Sequence, residues 1–156
     1  MNRVEISETE IPPPARSGQR PLRIYVRRAL KRLAKRNWSV SILLCDDSRI
    51  QELNRTYRAK DSATDVLSFP QADVPMQENG PRVAGDIVIS KETMIRNARS
   101  RDESIDSELK RLIVHGLLHL DGMDHDDSNV NDDMLVLQES LLVKLPKKRI
   151  IAETWD

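Results

Sequence analysis

The segment Leu109–Leu120, L-K-R-L-I-V-H-G-L-L-H-L, restricts the possible folds more than any other part of the sequence. Apolar residues occupy nearly every face of a helix built on this segment, so the helix must run through the core or cover a sheet closely. His115 and His119 are four positions apart, which puts their side chains on one side of that helix, one turn apart. The sequence therefore predicts a buried helix that carries two imidazoles.

The rest of the chain has the pattern of a mixed α/β (α+β) domain with about four strands covered by helices. Strands are expected at residues 2–7, 40–45, 65–70 and 85–90, the last two antiparallel, and helices at 22–36, 49–57, 91–99, 104–120 and 131–145. Because domains commonly span roughly 100–200 residues, the 156-residue chain is expected to form one domain. Within it we expect a strand and a basic helix in 1–36, the sheet and metal-site core in 37–145, and a tail in 146–156.

Charge is unevenly distributed, although the formal net charge is zero. Nine basic side chains and no acidic one lie between Ala15 and Asn37, whereas acidic residues concentrate between Asp121 and Asp133. Such a run is usually a solvated helix face, but a basic block can also attract a polyanion. The candidates for RNA contacts on the basic helix are Arg27, Arg28, Lys31 and Arg32.

The sequence contains neither a long apolar run of the membrane-spanning kind nor an N-terminal apolar segment resembling a signal peptide. A soluble cytoplasmic protein without a membrane partner is the resulting expectation. The only cysteine, Cys45, has no partner for an intramolecular disulfide, and we interpret it as a core residue.

All three histidines of the chain lie between His115 and His125. Gly122 is expected to end the helix in the left-handed conformation, and the reversed chain can bring His125 back to the other two. Three imidazoles with an open fourth position are typical of a catalytic zinc site, although nickel, cobalt and copper also accept imidazole ligands. The alternatives are satisfied core histidines or a structural metal. A structural metal would need a fourth ligand, for which the candidates are Asp124, Asp126, Asp127 and, less plausibly, Cys45.

The same spacing occurs in the H-E-x-x-H-x-x-G-x-x-H motif of metzincin peptidases. His115, His119, Gly122 and His125 match its metal ligands and its glycine, but Gly116 stands where the catalytic glutamate belongs. In the peptidases that glutamate activates the water. We therefore expect the matching residues of this chain to bind a metal in the same geometry but not to hydrolyse peptides.

The stretch H-G-L-L-H-L-D-G-M-D-H resembles the H-G-x-L-H-L-x-G-x-D-H signature of the YbeY family of metal-dependent endoribonucleases. Three further segments agree with the family in order: L-N-R-T-Y-R-A-K-D (53–61), T-D-V-L-S-F-P (64–70) and G-D-I-V-I-S (85–90). The resemblance covers most of the chain from residue 40 onward.

The resemblance implies that His115, His119 and His125 bind zinc, which makes hydroxide available at neutral pH. It also implies that the family's arginine is Arg58, whose guanidinium would hold a phosphate and stabilise developing charge. An ordinary surface salt bridge is the alternative for Arg58. Three aspartates are candidates to hydrogen-bond a histidine ring, or the loop beside the metal site, without binding the metal themselves: Asp86, Asp65 and Asp124. Tyr57 could stack on a base, but a core position is the preferred interpretation.

The function implied is that of a zinc-dependent endoribonuclease for single-stranded RNA, acting in ribosomal RNA maturation and ribosome quality control. Two alternatives remain: a metzincin-like metallopeptidase that lacks the glutamate, and a non-enzymatic RNA- or ribosome-binding module with a structural metal.

Overall fold

The fold is described from a computed structural model, in which residues 1–9, 19–71, 80–123, 133–151 and 155 are placed. The strands are β1 (Arg3–Glu8), β2 (Trp38–Cys45), β3 (Val66–Pro70) and β4 (Arg82–Ser90). The helices are α1 (Gln19–Arg32), α2 (Asp47–Arg58), α3 (Lys91–Ser100), α4 (Ile105–Leu120) and α5 (Asp133–Lys144). The predicted α/β class, with four strands and covering helices, is confirmed.

The four strands form one mixed sheet in the order β1-β2-β4-β3. β2 pairs in parallel with both β1 and β4, and β3 pairs antiparallel with β4, as predicted. β1 and β3 are therefore the two edges. β3 is the short edge strand that borders the site described below.

The two faces of the sheet are covered to different extents. Successive strand residues point to opposite faces; Ile87 and Ile89 belong to the large core that includes residues of α1, α4 and α5. On the other face, Val88 joins a small cluster with Cys45 and with Ile50 of α2. Cys45 is thus a core residue, as interpreted from the sequence, and burial raises the pKa of its thiol to about 11. Its position in this small cluster does not suit the fourth metal ligand considered above.

Helix α4 ends where the sequence predicted. Gly122 has φ +87°, the left-handed region that favours glycine. Its N–H donates to the carbonyl of His119 at 3.0 Å, and the N–H of Met123 donates to the carbonyl of Leu118 at 3.1 Å. These two bonds make a Schellman motif. Although α4 is apolar, no helix in the described ranges is long and apolar enough to cross a membrane.

Helix α1 ends earlier than predicted, at Arg32 and not at Arg36. Ala34 adopts φ +56° without being a glycine. The N–H of Lys35 then donates to the carbonyl of Leu30 at 2.9 Å, which closes the helix by the same motif. The predicted boundary was wrong because no glycine or proline marks this end.

The segment after α5, expected to be a tail, contributes Ile150 and Ile151 to the core. Asp106 of α4 accepts hydrogen bonds from both of their backbone N–H groups, at 2.6 and 3.2 Å. Lys110, one turn further along α4, donates to the carbonyl of Lys148 at 2.9 Å. Residues 148–151 are therefore fixed against α4.

Candidate functional site

In the second half of α4 the histidine pair lies on the side that is not fully buried. Arg111, His115 and His119 follow each other at four-residue spacing and are partly exposed, whereas the other residues of 112–120 are buried. The two Nε2 atoms are 3.0 Å apart, and the ring centroids are 4.6 Å apart at an interplanar angle of 76°. The helix brings the two imidazoles together as its spacing predicts.

Gln138 of α5 orients the first imidazole. Its side chain is buried, and its Oε1 accepts a hydrogen bond of 2.9 Å from Nδ1 of His115. Because this bond requires the proton on Nδ1, the lone pair of His115 is on Nε2, the atom nearest to His119. Sequence reasoning missed Gln138; its signal was a single amide within the apolar run M-L-V-L-Q-E-S-L-L.

The donor set of the pair fits a zinc ion. Two nitrogens bound to tetrahedral zinc at about 2.0–2.1 Å lie roughly 3.3 Å apart, close to the spacing of the two Nε2 atoms. The expected third ligand, His125, and the expected outer residue Asp124 lie outside the described residues. Within the ranges that the structure describes, no group of three His, Cys, Asp or Glu side chains could hold a metal ion.

The histidine pair opens into a cavity of about 340 Å³. The cavity brings together residues from the end of α2, from β3, from α4 and from the turn after α4. Its lining comprises Arg58, Val66, Leu67, Ser68, Pro70, His115, His119, Gly122 and Met123. The fold thus places Arg58 in the same cavity as the two histidines, although they are more than fifty positions apart in the sequence.

Arg58 is held at the rim of this cavity by β3. One guanidinium nitrogen donates to the carbonyl of Ser68 at 2.7 Å, and the guanidinium carbon lies 5.7 Å from the centroid of the Phe69 ring. Arg58 forms no ion pair with any carboxylate in the described part of the chain, which speaks against an ordinary surface salt bridge. A guanidinium has five N–H donors, so the bond to Ser68 leaves others to bind an anion.

Asp65 is placed at the start of β3. Its Oδ1 accepts a hydrogen bond of 2.8 Å from the N–H of Val66, a local bond that fixes the beginning of the strand. Burial raises the pKa of the Glu108 carboxyl on α4; the charge of Arg101 opposes this rise, and the charge of Asp65 adds to it. The charge of Asp65 thus acts on the Glu108 carboxyl of α4, and the expectation that Asp65 orients a histidine or the rim of the cleft stays a prediction.

Asp86 does not reach the histidines. Its neighbour Ile87 points towards α4, so Asp86 points to the opposite face of the sheet, where it lines a separate depression with Ser41 and Tyr57. The expectation that Asp86 orients a histidine ring is therefore not met. The alternation of the strand puts the sheet itself between them.

Gly116 lies where α4 packs tightly on Ile87 of the sheet. A Cβ atom added there would lie 2.9 Å from both Cδ1 and Cγ2 of Ile87. The position faces the sheet and not the cavity. A glutamate at 116 therefore has no room, and the position cannot supply the general base of a metzincin.

Three of the four cations predicted to contact RNA share one surface with the end of α5. A depression between α1 and α5 is lined by Arg28, Lys31, Arg32, Lys144, Leu145 and Pro146. Arg27 differs, because its Nε donates to the carbonyl of Asn2 at 3.2 Å, on the β1 side of the helix. We call the depression with its four cations the α1–α5 basic surface.

Residues 14–146 match the model of the family described as Endoribonuclease YbeY. The chain belongs to the YbeY endoribonuclease family. The family match includes every described side chain of the cavity, and the resemblance noted from four sequence motifs is confirmed.

Two relatives from the YbeY family are similar to this chain over most of their length. An Endoribonuclease YbeY of Treponema denticola is 44% identical over 153 residues, which cover 96% of this chain and 97% of that protein. One of Aquifex aeolicus is 43% identical over 120 residues, covering 76% and 78% of the two chains. A solution structure of a Thermotoga maritima protein superposes with a TM-score of 0.56 at 28% identity and covers 91% of this chain and 87% of that one.

Proposed function

We propose that the chain is a zinc-dependent endoribonuclease that cleaves single-stranded RNA in ribosomal RNA maturation and ribosome quality control. Membership of the YbeY family supports an RNA-cleaving enzyme with a role in ribosomal RNA maturation. The observation that carries the site assignment is the cavity that Arg58 shares with His115 and His119. A cation for phosphate and two metal-binding imidazoles are the groups that phosphodiester hydrolysis needs.

The histidines, Gln138 and Arg58 have separate roles in this proposal. His115 and His119, together with His125, would hold the zinc, which when bound acts as a Lewis acid and makes hydroxide available near neutral pH. Gln138 keeps the Nε2 lone pair of His115 available by holding the proton on Nδ1. Arg58 binds the phosphate and stabilises the negative charge that develops on it.

The function is tested by metal content and RNA cleavage measured on the same preparation. We expect about one zinc per chain and cleavage of a defined single-stranded RNA that stops with a chelator and returns with added zinc. The metallopeptidase alternative predicts chelator-sensitive cleavage of a casein-type substrate instead. RNA cleavage that continues at full rate in metal-free protein would refute the zinc assignment.

Gln138→Leu should weaken zinc binding and cleavage by about 10- to 100-fold, because the imidazole of His115 loses the partner that fixes its tautomer and orientation. Zinc affinity is measured by competition with a chelating dye. Gln138→Glu is the matched control, because it keeps an acceptor for Nδ1 and should retain most of the affinity. Equal losses in the two variants would argue against an orienting role.

The α1–α5 basic surface is proposed to contact RNA phosphates. Replacing Arg28, Lys31 and Arg32 together by glutamine should make the plot of log binding constant against log salt concentration less steep. For a single strand, the magnitude of the negative slope should fall by about two. Arg27→Gln is the control on the same helix, and its effect should be smaller because Arg27 is turned to β1. Binding with an unchanged slope in the triple variant would remove this surface from the proposal.

A further inference from the structure

We propose that Tyr57, Asp86 and Ser41 form a nucleobase-binding subsite next to the histidine cavity. Its ligand is an unpaired base with an exocyclic amino group, such as cytosine, in the RNA strand whose phosphate is bound by Arg58. This inference rests on the proposed function and names a specificity determinant of its substrate.

The wall of the subsite is aromatic. Tyr57 is 66% exposed, and its ring centroid lies 5.5 Å from that of Phe69 in an edge-to-face arrangement of 66°. The core position preferred from the sequence is therefore wrong. Proteins that bind single strands stack bases on exposed aromatic rings of this kind, which every base can use through its π-face.

The floor of the subsite is polar. It belongs to a depression of about 400 Å³ on the α2 face of the sheet. Asp86 lies opposite Phe69 of β3 and Ser41 of β2 in the strand register. No side chain in the described residues pairs with the Asp86 carboxylate. A carboxylate accepts a hydrogen bond from the amino group of cytosine, whereas a uracil would present its O4 acceptor to the same charge.

The subsite and the cavity lie on opposite faces of the edge strand β3. Ser68 lines the histidine cavity, and Phe69, the next residue, lines the depression that holds Asp86. Arg58 contacts both of these residues, because its guanidinium donates a hydrogen bond to the carbonyl of Ser68 and lies over the ring of Phe69. Tyr57 and Arg58 both flank the Phe69 ring, at 5.5 and 5.7 Å from its centroid, so a phosphate on the guanidinium brings a neighbouring base close to the tyrosine ring.

This arrangement selects for single strands. A base in a duplex is paired on its Watson–Crick edge and stacked on both faces, so it can meet neither the ring of Tyr57 nor the carboxylate of Asp86. Only a duplex would have to spend free energy on unpairing a base before that base could bind. The subsite therefore favours strands whose bases are already free.

The test compares cleavage of cytosine-rich and uracil-rich single-stranded RNA by the zinc-loaded protein. Tyr57→Ala should raise KM about tenfold with both RNAs, as loss of one stacked base predicts, and Tyr57→Phe should stay close to wild type. Asp86→Ala should abolish the preference for the cytosine-rich RNA. Val143→Ala, at a residue of α5 that is 72% exposed, serves as the control.

The outcomes separate this proposal from the proposed function. A wild-type KM in Tyr57→Ala, or an unchanged base preference in Asp86→Ala, would overturn the subsite even though the RNA is cleaved. If the wild type cleaves no RNA, the proposed function fails, and fluorescence anisotropy with labelled oligocytidylate still tests the subsite without turnover. Melting temperatures verify folding, and Asp86→Ala provides an independent test should Tyr57→Ala not fold.

Discussion

His119→Ala is expected to lower the rate of RNA cleavage by more than about 10³-fold while the protein stays folded. The imidazole of His119 carries one of the two helical nitrogens that would hold the proposed zinc, and it lies in the cavity with Arg58. Because the side chain is only partly buried and lines the cavity, its removal leaves the core of α4 intact. Single-turnover cleavage and the melting temperature are measured on the same sample.

Arg58→Ala is the companion variant, because it should lose cleavage without losing zinc. Arg58→Lys should recover only part of the rate, since an ammonium cannot offer the planar fork of a guanidinium. A structural metal predicts the opposite pattern for His119→Ala, namely a large drop in melting temperature. Full nuclease activity in either alanine variant would contradict the mechanism.

Gly116→Glu is expected to destabilise the fold by about 4 kcal/mol or more and to create no peptidase activity. A Cβ at this position already meets two atoms of Ile87 at 2.9 Å, and the carboxylate beyond it would be buried between α4 and β4. The free energy of unfolding from urea denaturation checks the size of the effect. Proteolysis of a casein-type substrate checks the function.

Two control variants separate crowding from backbone strain. Gly116→Ala and Ile87→Ala combined should cost less stability than the sum of the two single losses, because the space left by the shortened Ile87 takes up the new methyl group. Gly122→Ala should cost about 1–2 kcal/mol from its left-handed φ alone, since nothing lies within 4 Å of its added Cβ. A fully stable Gly116→Glu variant would refute the close packing of α4 on the sheet.

The order of the elements could be predicted from the sequence because it depends on local signals. The apolar periodicity of α4 and the glycine at its end identify the helix and its limit, and the spacing of His115 and His119 determines their common side. Such patterns depend on neighbours within one or two turns. The same reasoning failed at the end of α1, where Ala34 adopts the left-handed conformation that glycine usually adopts at a helix end.

The contacts between distant elements could not be predicted in this way. In G-D-I-V-I-S both faces of β4 carry apolar residues, so the side of the sheet to which Asp86 points is not readable from alternation. Tyr57 continues the apolar side of α2 in the sequence, but it stays largely exposed beside the ring of Phe69 on the edge strand. The bond between Gln138 and His115 depends on how α5 crosses α4, which no local pattern encodes.

The pleat of β3 restricts how this strand can change its length. Ser68 and Phe69 line different depressions, and in the register of β3 with β4 Ser68 lies opposite Ile87 and Phe69 opposite Asp86. Inserting or deleting one residue between Val66 and Pro70 would exchange the two sets of side chains, whereas a change of two would restore them. Length variation in this strand is thus expected to come in steps of two residues, and odd steps should damage both depressions together.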